Sequence, residues 1–370
     1  MGSFCIAEMQ TAYRKFIGPR WAAAAALALG TLQPVLAQGS AATWMAIPPA
    51  RSRLVAADIG LVINSADPAS VQVGEHYVAV RKLKPAQVLR VELPLKHTLT
   101  REEFERLSEA VSAHFGKNTQ ALALAWTAPY AVECQSITGA LALGFDADFC
   151  KNGCGRSQPS RYFNSGVGKP LQEVGFRLSM LLAARTVEQA KALIDRGAAA
   201  DRALALRGRP PVTAALLATD DAPRRVRMTL YPPPGLLRAV GVDVRVLPAA
   251  ELQEQRRVVM VSTGSVKAPV EPAPDWAPGG LGDHLTSFGG DLLGTHGHGT
   301  ALDWIASGAV ASYGTVSEPC NHVQKFPHPQ VLLGHYLQGE TAIEAYWKSV
   351  AWPLQGLFVG DPLAAPFARR

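Results

Sequence analysis

The sequence predicts an α/β protein with a mainly parallel β-sheet and helices on both faces, in a doubly wound, three-layer architecture. Apolar runs such as residues 54–64 alternate with amphipathic segments such as residues 100–115. Apolar runs of this kind are typical of strands buried on both faces, and alternation with helices favours parallel pairing. Of the 370 residues, 48% are hydrophobic and 18% are charged, which suffices for a large core and excludes a disordered chain.

The strands are predicted from apolar runs that end in turn residues. The run at residues 54–64 ends at Asn64, and the run at residues 121–127 ends just before Pro129. The Pro- and Gly-rich stretch at residues 267–282 is predicted to be a long surface loop. The predicted strands are residues 54–64, 87–93, 121–127, 177–183, 212–219, 242–247, 257–263, 308–313 and 356–359.

The helices are predicted from their periodicity and their end signals. Thr100 and Glu103 form a capping box that begins the clearest helix, and Gly116 follows it. Thr186 begins another helix, which Gly197 is expected to end. The predicted helices are residues 71–82, 100–115, 186–196, 301–306 and 341–350.

The amino terminus has the features of a cleavable signal peptide. Basic residues precede an apolar run at residues 21–36, and small side chains lead up to Ala37. This run is shorter than the ~20 residues that a membrane-spanning helix needs. We therefore predict a signal peptide at residues 1–37, which starts at Met1 or Met9.

The rest of the chain, residues 38–370, is predicted to form a single large α/β domain with no membrane span. A Cys-containing loop at about residues 149–169 is expected to leave the core, because it is rich in Gly, Ser, Asn and Pro. The protein is expected to be exported, to the periplasm or the extracellular space.

Cysteine usage agrees with export, because an even number of cysteines follows the signal peptide. Structural disulfides are the favoured interpretation; a zinc site and free thiols are the alternatives. The spacing leaves all three possible pairings open. The cysteines concerned are Cys134, Cys150, Cys154 and Cys320.

The net charge of +6 does not indicate nucleic-acid binding, because the basic residues are dispersed. Arginines such as Arg224, Arg225 and Arg227 are interpreted as part of a solvated surface. No basic stripe is interleaved with aromatic side chains, as a stacking platform for nucleic acid would require. The partner of the protein is not predicted.

Polar residues follow most of the predicted strands. Ligands of open parallel sheets collect at the carboxyl ends of strands, so these residues are expected along a single edge. Asp361 and the proline after it have a turn as their alternative interpretation. The candidate binding residues are Asn64, Asp220, Asp221, Ser265, Glu318 and Asp361, near Trp126, Thr127, Ser262, Thr263 and Thr315.

The segment at residues 283–290, DHLTSFGG, holds the first candidate catalytic residues. His284 could serve as a base for the hydroxyl of Thr286 or Ser287, and the glycines could expose backbone donors. No G-x-S-x-G motif is present, and a Gly-rich turn is the favoured alternative.

Two further segments contain candidate groups. His296 and His298 could act as bases or share a metal, but no carboxylate follows at ligand spacing, and a glycine turn is favoured. Cys320 could be a nucleophile with either histidine, unless it forms a disulfide, for example with Cys134. We predict no metal and no cofactor.

Several segments resemble an uncharacterised family of exported bacterial proteins over nearly the whole mature chain. More distantly, the carboxyl-terminal third resembles the gingipain-type, caspase-like cysteine peptidases. The first resemblance implies only export, whereas the second implies a caspase-like sheet. The segments that carry these resemblances are LAWTAPYAVECQSIT (124–138), LIDRGAAAD (193–201), DHLTSFGG (283–290), GAVASYGTVSEPCN (308–321) and EAYWKSVAWPLQGLFVGDPLAAPF (344–367).

The peptidase resemblance also implies where a catalytic dyad would lie. The cysteine position falls near Thr286 and Ser287, and the histidine position near Gly264 and Ser265, so neither residue type is present. The favoured hypothesis is an exported peptidase-like scaffold without the dyad, which binds a ligand or polypeptide. The alternatives are a hydrolase that uses Ser287 or Cys320 with a nearby histidine, and a structural envelope-assembly protein.

Overall fold

The computed structural model describes residues 43–151, 153–205 and 210–369. The predicted signal peptide lies outside these residues. Within the described ranges, no helix combines the length and the apolar character needed to cross a membrane.

Nine of the strands coincide with the predicted apolar runs, although most of the nine are shorter than predicted. In chain order the strands are β1 (Ile59–Asn64), β2 (Val88–Val91), β3 (Thr98–Leu99), β4 (Ala121–Leu124), β5 (Ala131–Val132), β6 (Gln135–Ser136), β7 (Leu178–Leu181), β8 (Val212–Ala218), β9 (Gly235–Leu237), β10 (Val242–Pro248), β11 (Val258–Gly264), β12 (Trp276–Leu285), β13 (Ala311–Thr315) and β14 (Gly356–Gly360). Of these, β3, β5, β6, β9 and β12 were not predicted.

The helices lie mostly between the strands. In chain order they are α1 (Pro68–Arg81), α2 (Arg101–His114), α3 (Ile137–Leu143), α4 (Ala147–Lys151), α5 (Pro170–Val174), α6 (Val187–Ala200), α7 (Ala301–Ser307), α8 (Pro329–Leu337) and α9 (Ala342–Ser349).

A mainly parallel sheet of 11 strands organises the molecule, in the order β2-β1-β4-β7-β14-β13-β12-β11-β8-β10-β9. Every residue of β1, β4, β7, β13 and β14 is buried. Strands with no exposed residue are covered on both faces, as expected for a parallel sheet in an α/β protein. The predicted fold class is therefore confirmed. A small second sheet pairs β3, β5 and β6.

The sheet consists of two parallel halves that run in opposite directions. β2, β1, β4, β7 and β14 are parallel to one another, as are β13, β12, β11, β8 and β10. The halves meet where β13 pairs antiparallel with β14. The carboxyl ends of the strands therefore lie along two opposite edges, and the prediction of a single edge is wrong.

Two candidate binding residues belong to the opposite edge from the remaining candidates and stabilise the fold. Asn64 ends β1, and its side chain bonds both the N–H and the carbonyl of Leu93 (2.9 and 3.2 Å). Asp361 follows β14 and pairs with the guanidinium of Arg81, which also reaches Asp201 (2.7 Å). Both candidates are fully buried, so they are not open to a ligand.

Two further predictions are wrong. Residues 267–282 form the predicted surface loop only as far as residue 275, because 276–285 is the mostly buried strand β12. Gly197 does not end α6, which continues to Ala200. A side chain at 197 would overlap the carboxylate of Asp361, so this glycine permits close packing inside the helix.

Candidate functional site

The chain between β12 and α7, residues 286–300, contacts both halves of the sheet; we call it the bridging loop. Near its start, the N–H of Gly290 donates to the carbonyl of Thr315 at the end of β13 (2.9 Å). The hydroxyl of Tyr130, which follows β4 in the other half, donates to Asp291 (2.6 Å). The bridging loop therefore crosses the boundary between the halves.

A hydroxyl–imidazole pair lies at the base of the bridging loop. Thr286 Oγ1 is 2.8 Å from Nδ1 of His298, and Nε of Arg224 donates to the same oxygen (3.4 Å). Arg224 is held by the carboxylate of Asp221 (2.8 Å). A guanidinium can only donate, so the hydroxyl accepts from Arg224 and keeps its own proton available for Nδ1. In the tautomer with an unprotonated Nδ1, His298 can accept the proton of Thr286.

The two adjacent hydroxyls of this segment have different surroundings. Thr286 is only 1% exposed, although it contacts the imidazole. Ser287 is half-buried and lines a cavity of about 150 Å³ together with Arg224, Glu318 and Cys320. In the part of the chain that the structure describes, no imidazole forms a hydrogen bond with Ser287. The accessible hydroxyl therefore has no adjacent base.

His296 is held separately by a carboxylate. Its Nδ1 lies 2.8 Å from Asp291, and its ring stacks on Phe288 with centroids 3.8 Å apart. Burial opposes ionisation of Asp291, but hydrogen bonds from Thr295, Tyr130 and His296 outweigh it and lower the pKa of Asp291 to about 2. Asp291 is therefore ionised near neutral pH and fixes the bridging loop.

His284, a predicted candidate base, belongs to the core of β12 rather than to the site. Its Nδ1 accepts a hydrogen bond from the indole N–H of Trp304 (2.9 Å), and the residue is 1% exposed. Burial lowers the pKa of His284 to about 4, so the ring is neutral. The neighbouring Asp283 forms a buried ion pair with Arg227, which corrects the interpretation of Arg227 as a solvated surface residue.

The four cysteines form disulfides, as the sequence favoured, and of the three pairings left open the structure has Cys134–Cys150 and Cys154–Cys320. Cys320 is bonded to Cys154 and not to Cys134. The structure therefore contradicts Cys320 as a free nucleophile, because its sulfur has no thiolate to offer in this state.

The remaining binding candidates differ in their contacts. Glu318 accepts from the backbone N–H of Cys320 (2.9 Å) and so shapes its own loop. The hydroxyl of Ser265 donates to the carbonyl of Lys267 (2.7 Å), and Asp220 is exposed. Of these residues, Glu318 lines the cavity beside Ser287.

A cleft of two adjoining cavities runs along the bridging loop. The larger, of about 700 Å³, is lined by apolar side chains such as Trp126, and the smaller, of about 530 Å³, contains His298. Arg185, Leu292 and Leu293 line both cavities. Leu293 is 53% exposed in this cleft. A large exposed apolar side chain beside a cavity is typical of a binding surface.

Arg224, Asp291 and Arg185 are the site residues that sequence reasoning missed. Arg224 follows β8 at the predicted sheet edge, so its position was open to prediction, but its charge was assigned to the surface. Arg185 follows β7 and pairs with Asp303 of α7. No sequence signal pointed to Asp291, because its partner Tyr130 is 161 residues away in the chain.

Among the described residues, no cluster of three or more His, Cys, Asp and Glu side chains could hold a metal ion. His296 and His298 bond different residues, Asp291 and Thr286 respectively, rather than facing a common metal position. The observed contacts at the site are hydrogen bonds and ion pairs.

Comparisons with known proteins found similarity only among solved structures, since neither a family model nor a curated protein matches the chain. The chain is similar to the crystal structure of the Arg-specific cysteine proteinase gingipain R (RGPB), with 12% identity and a TM-score of 0.48. That match covers 83% of this chain and 78% of the other. A second structure, described as a protease, has 9% identity and a TM-score of 0.43, and the match covers 85% and 79% of the two chains. Gingipains are the peptidases that the sequence distantly resembles.

Proposed function

We propose that this protein binds an extended polypeptide segment in the cleft along the bridging loop, without cleaving it. The observation that carries this proposal is the continuity of the cleft, whose two cavities share Arg185, Leu292 and Leu293. An apolar side chain of the partner would enter the larger cavity beside Trp126. The following residues of the partner would pass along the more polar cavity beside His298.

The surroundings of the candidate hydroxyls favour binding over hydrolysis. A nucleophile needs both a base and access to the substrate. Thr286 has the base and borders the small cavity but is only 1% exposed, whereas Ser287 is more exposed but forms no hydrogen bond with an imidazole among the described residues. A histidine at position 264, where the peptidase resemblance implies one, would collide with the backbone of Arg224, because even a Cβ would overlap there.

Selection of peptides tests this proposal directly. A phage-displayed library of random peptides would be selected on the purified protein, and the dissociation constants of the enriched peptides measured by fluorescence anisotropy. Leu293→Asp should weaken binding about tenfold or more, because burying a leucine contributes ~1.5–3 kcal/mol. The matched control is Val246→Asp, an apolar residue of β10 that is 42% exposed and does not line the cleft.

Two outcomes would count against peptide binding in the cleft. The first is that no peptide is enriched on the purified protein. The second is that Leu293→Asp binds the enriched peptides as tightly as Val246→Asp does.

The Thr286–His298 contact of 2.8 Å favours hydrolysis as the second candidate function. In that reaction Thr286 Oγ1 would attack a carbonyl carbon while its proton passes to Nδ1 of His298. A fluorophosphonate probe and an activated ester would reveal it through labelling and turnover that Thr286→Ser retains and Thr286→Val loses. An unlabelled Thr286 and no ester turnover would exclude it.

We also propose that the protein is exported to the periplasm or the extracellular space. The support is the pair of disulfides, which are typical of oxidising compartments. Fractionation of producing cells, with amino-terminal sequencing of the product, tests both export and the predicted cleavage after Ala37. A product that keeps residues 1–37 and stays in the cytoplasm would contradict it.

A further inference from the structure

The Cys154–Cys320 disulfide differs in its surroundings from Cys134–Cys150. Cys154 is exposed, in an irregular stretch between α4 and α5, so this residue can be reached from solution. Cys320 is half-buried and lines the cavity that also contains Ser287 and Arg224. One end of this disulfide therefore faces solvent, and the other faces the candidate site.

The backbone on the cavity side is held in a costly conformation. Cys320 and Asn321 are consecutive residues with positive φ, 52° and 58°. The left-handed region costs ~1–2 kcal/mol for a residue such as Cys320, whereas asparagine adopts it more readily, and it is normally visited by single residues. The bond to Cys154 is one of the contacts that hold this conformation, along with the hydrogen bond from Cys320 N–H to Glu318. Opening the bond therefore lets the loop relax.

Access and charge together bear on the direction in which the disulfide opens. The exposed Cys154 is the end that a thiol from solution reaches, so the departing thiolate is that of Cys320. The Glu318 carboxylate, which accepts from Cys320 N–H (2.9 Å), opposes a thiolate there, whereas Arg224, which lines the same cavity and pairs with Asp221 (2.8 Å), favours it. Because thiol–disulfide exchange is faster when the departing thiolate is stabilised, Arg224 offsets part of this cost.

We propose that Cys154–Cys320 is a thiol-exchange site at which a small thiol from solution is joined to Cys154 and a free thiol is delivered into the cavity at Cys320. The incoming thiolate attacks Cys154 Sγ and forms a mixed disulfide with it. The Cys154–Cys320 bond breaks, and its electron pair leaves on Cys320 Sγ. One disulfide is consumed and one is formed, so no further oxidant or reductant is required. The exchange needs no ligand in the cleft.

The exchange can be mapped with reduced glutathione as the thiol. The oxidised, folded protein would be incubated with glutathione, quenched with N-ethylmaleimide, digested and analysed by mass spectrometry. We expect glutathione on Cys154 and N-ethylmaleimide on Cys320, while Cys134 and Cys150 remain bonded to each other. Circular dichroism of the treated protein checks that the fold persists during the exchange.

A pair of arginine variants tests the directing role of the charge. Arg224→Gln should slow the exchange about fivefold, because the departing thiolate loses a nearby cation. Arg225→Gln, which removes an exposed neighbouring charge, should leave the rate unchanged.

Three results would overturn the proposal. One is glutathione on Cys320 instead of Cys154. Another is opening of Cys134–Cys150 at the same rate or faster. The third is that no exchange occurs while the protein remains folded. Equal rates in the two arginine variants would overturn the role assigned to Arg224.

Discussion

The buried imidazole of His284 predicts a specific dependence of stability on pH. The ring accepts the Trp304 N–H at Nδ1, and burial lowers its pKa from 6.5 to about 4. A group whose pKa is lower in the folded state than in the unfolded state stabilises the protein above the unfolded value. That stabilisation is lost as the pH falls from 6.5 towards 4, because the unfolded chain takes up a proton that the folded chain resists.

The magnitude follows from the size of the shift. A difference of about 2.5 pKa units, at 1.36 kcal/mol per unit, corresponds to about 3 kcal/mol of unfolding free energy lost by pH 4. This is a large fraction of the 5–15 kcal/mol that is typical of a folded protein. His284→Asn removes the titration and keeps an acceptor oxygen near the position of Nδ1.

Chemical denaturation at several pH values between 7.5 and 4 measures the effect. The unfolding free energy of the wild type should fall by about 3 kcal/mol more than that of His284→Asn over this range. His114→Asn, at an exposed position, serves as the control and should follow the wild type. Parallel curves for the wild type and His284→Asn would refute the assignment of a neutral, buried His284.

Two substitutions test other contacts of the fold and the site. Asp361→Asn leaves the buried guanidinium of Arg81 without one of its carboxylates, so it should cost about 3–5 kcal/mol in urea unfolding. Asp195→Asn, whose side chain is 57% exposed, should change stability by no more than about 0.5 kcal/mol. Gly314→Ala should displace the bridging loop, because a Cβ there would overlap Gly289. Amide hydrogen exchange should then accelerate across residues 286–300 and stay unchanged in the rest of the sheet, whereas unaltered exchange in the loop would contradict the contact.

Local signals in the sequence were sufficient to predict most of the elements. The capping box at Thr100 is present: the Thr100 hydroxyl accepts from the backbone N–H of Glu103, and the Glu103 carboxylate accepts from the backbone N–H of Thr100. Thr186 likewise caps α6. Apolar runs identified the buried strands because a strand covered on both faces needs no polar alternation. Their ends were predicted less well, since pairing partners determine where a strand stops.

The errors arose where distant residues decide the structure. β12 contains a proline and three glycines, which favour a loop locally, yet neighbouring strands and Trp304 bury it. β14 pairs antiparallel with β13, and the residues of β14 alone do not indicate this direction. The same limit applies to Arg227, whose buried guanidinium pairs with Asp283 and donates to the carbonyls of Thr263 and Pro327.

The candidate site was predicted in part. Thr286 and His298 were both named, and the structure brings them together, whereas Asn64 and Asp361 were grouped with them through the assumption of one edge. The disulfide at Cys320 was considered, but its partner depends on the path of a loop that no local pattern describes.

The position of β14 has a consequence for how the molecule is made. This strand, residues 356–360, lies between β7 and β13 and supplies every backbone pairing between the two halves of the large sheet. The other strands of the sheet, in residues 59–91, 121–181 and 212–315, are synthesised before it. The edges of β7 and β13 that β14 covers therefore stay unpaired until the last strand is made, and joining these edges is a late event in assembly. During that interval the exposed edges of β7 and β13 are the places where a chaperone would most usefully act.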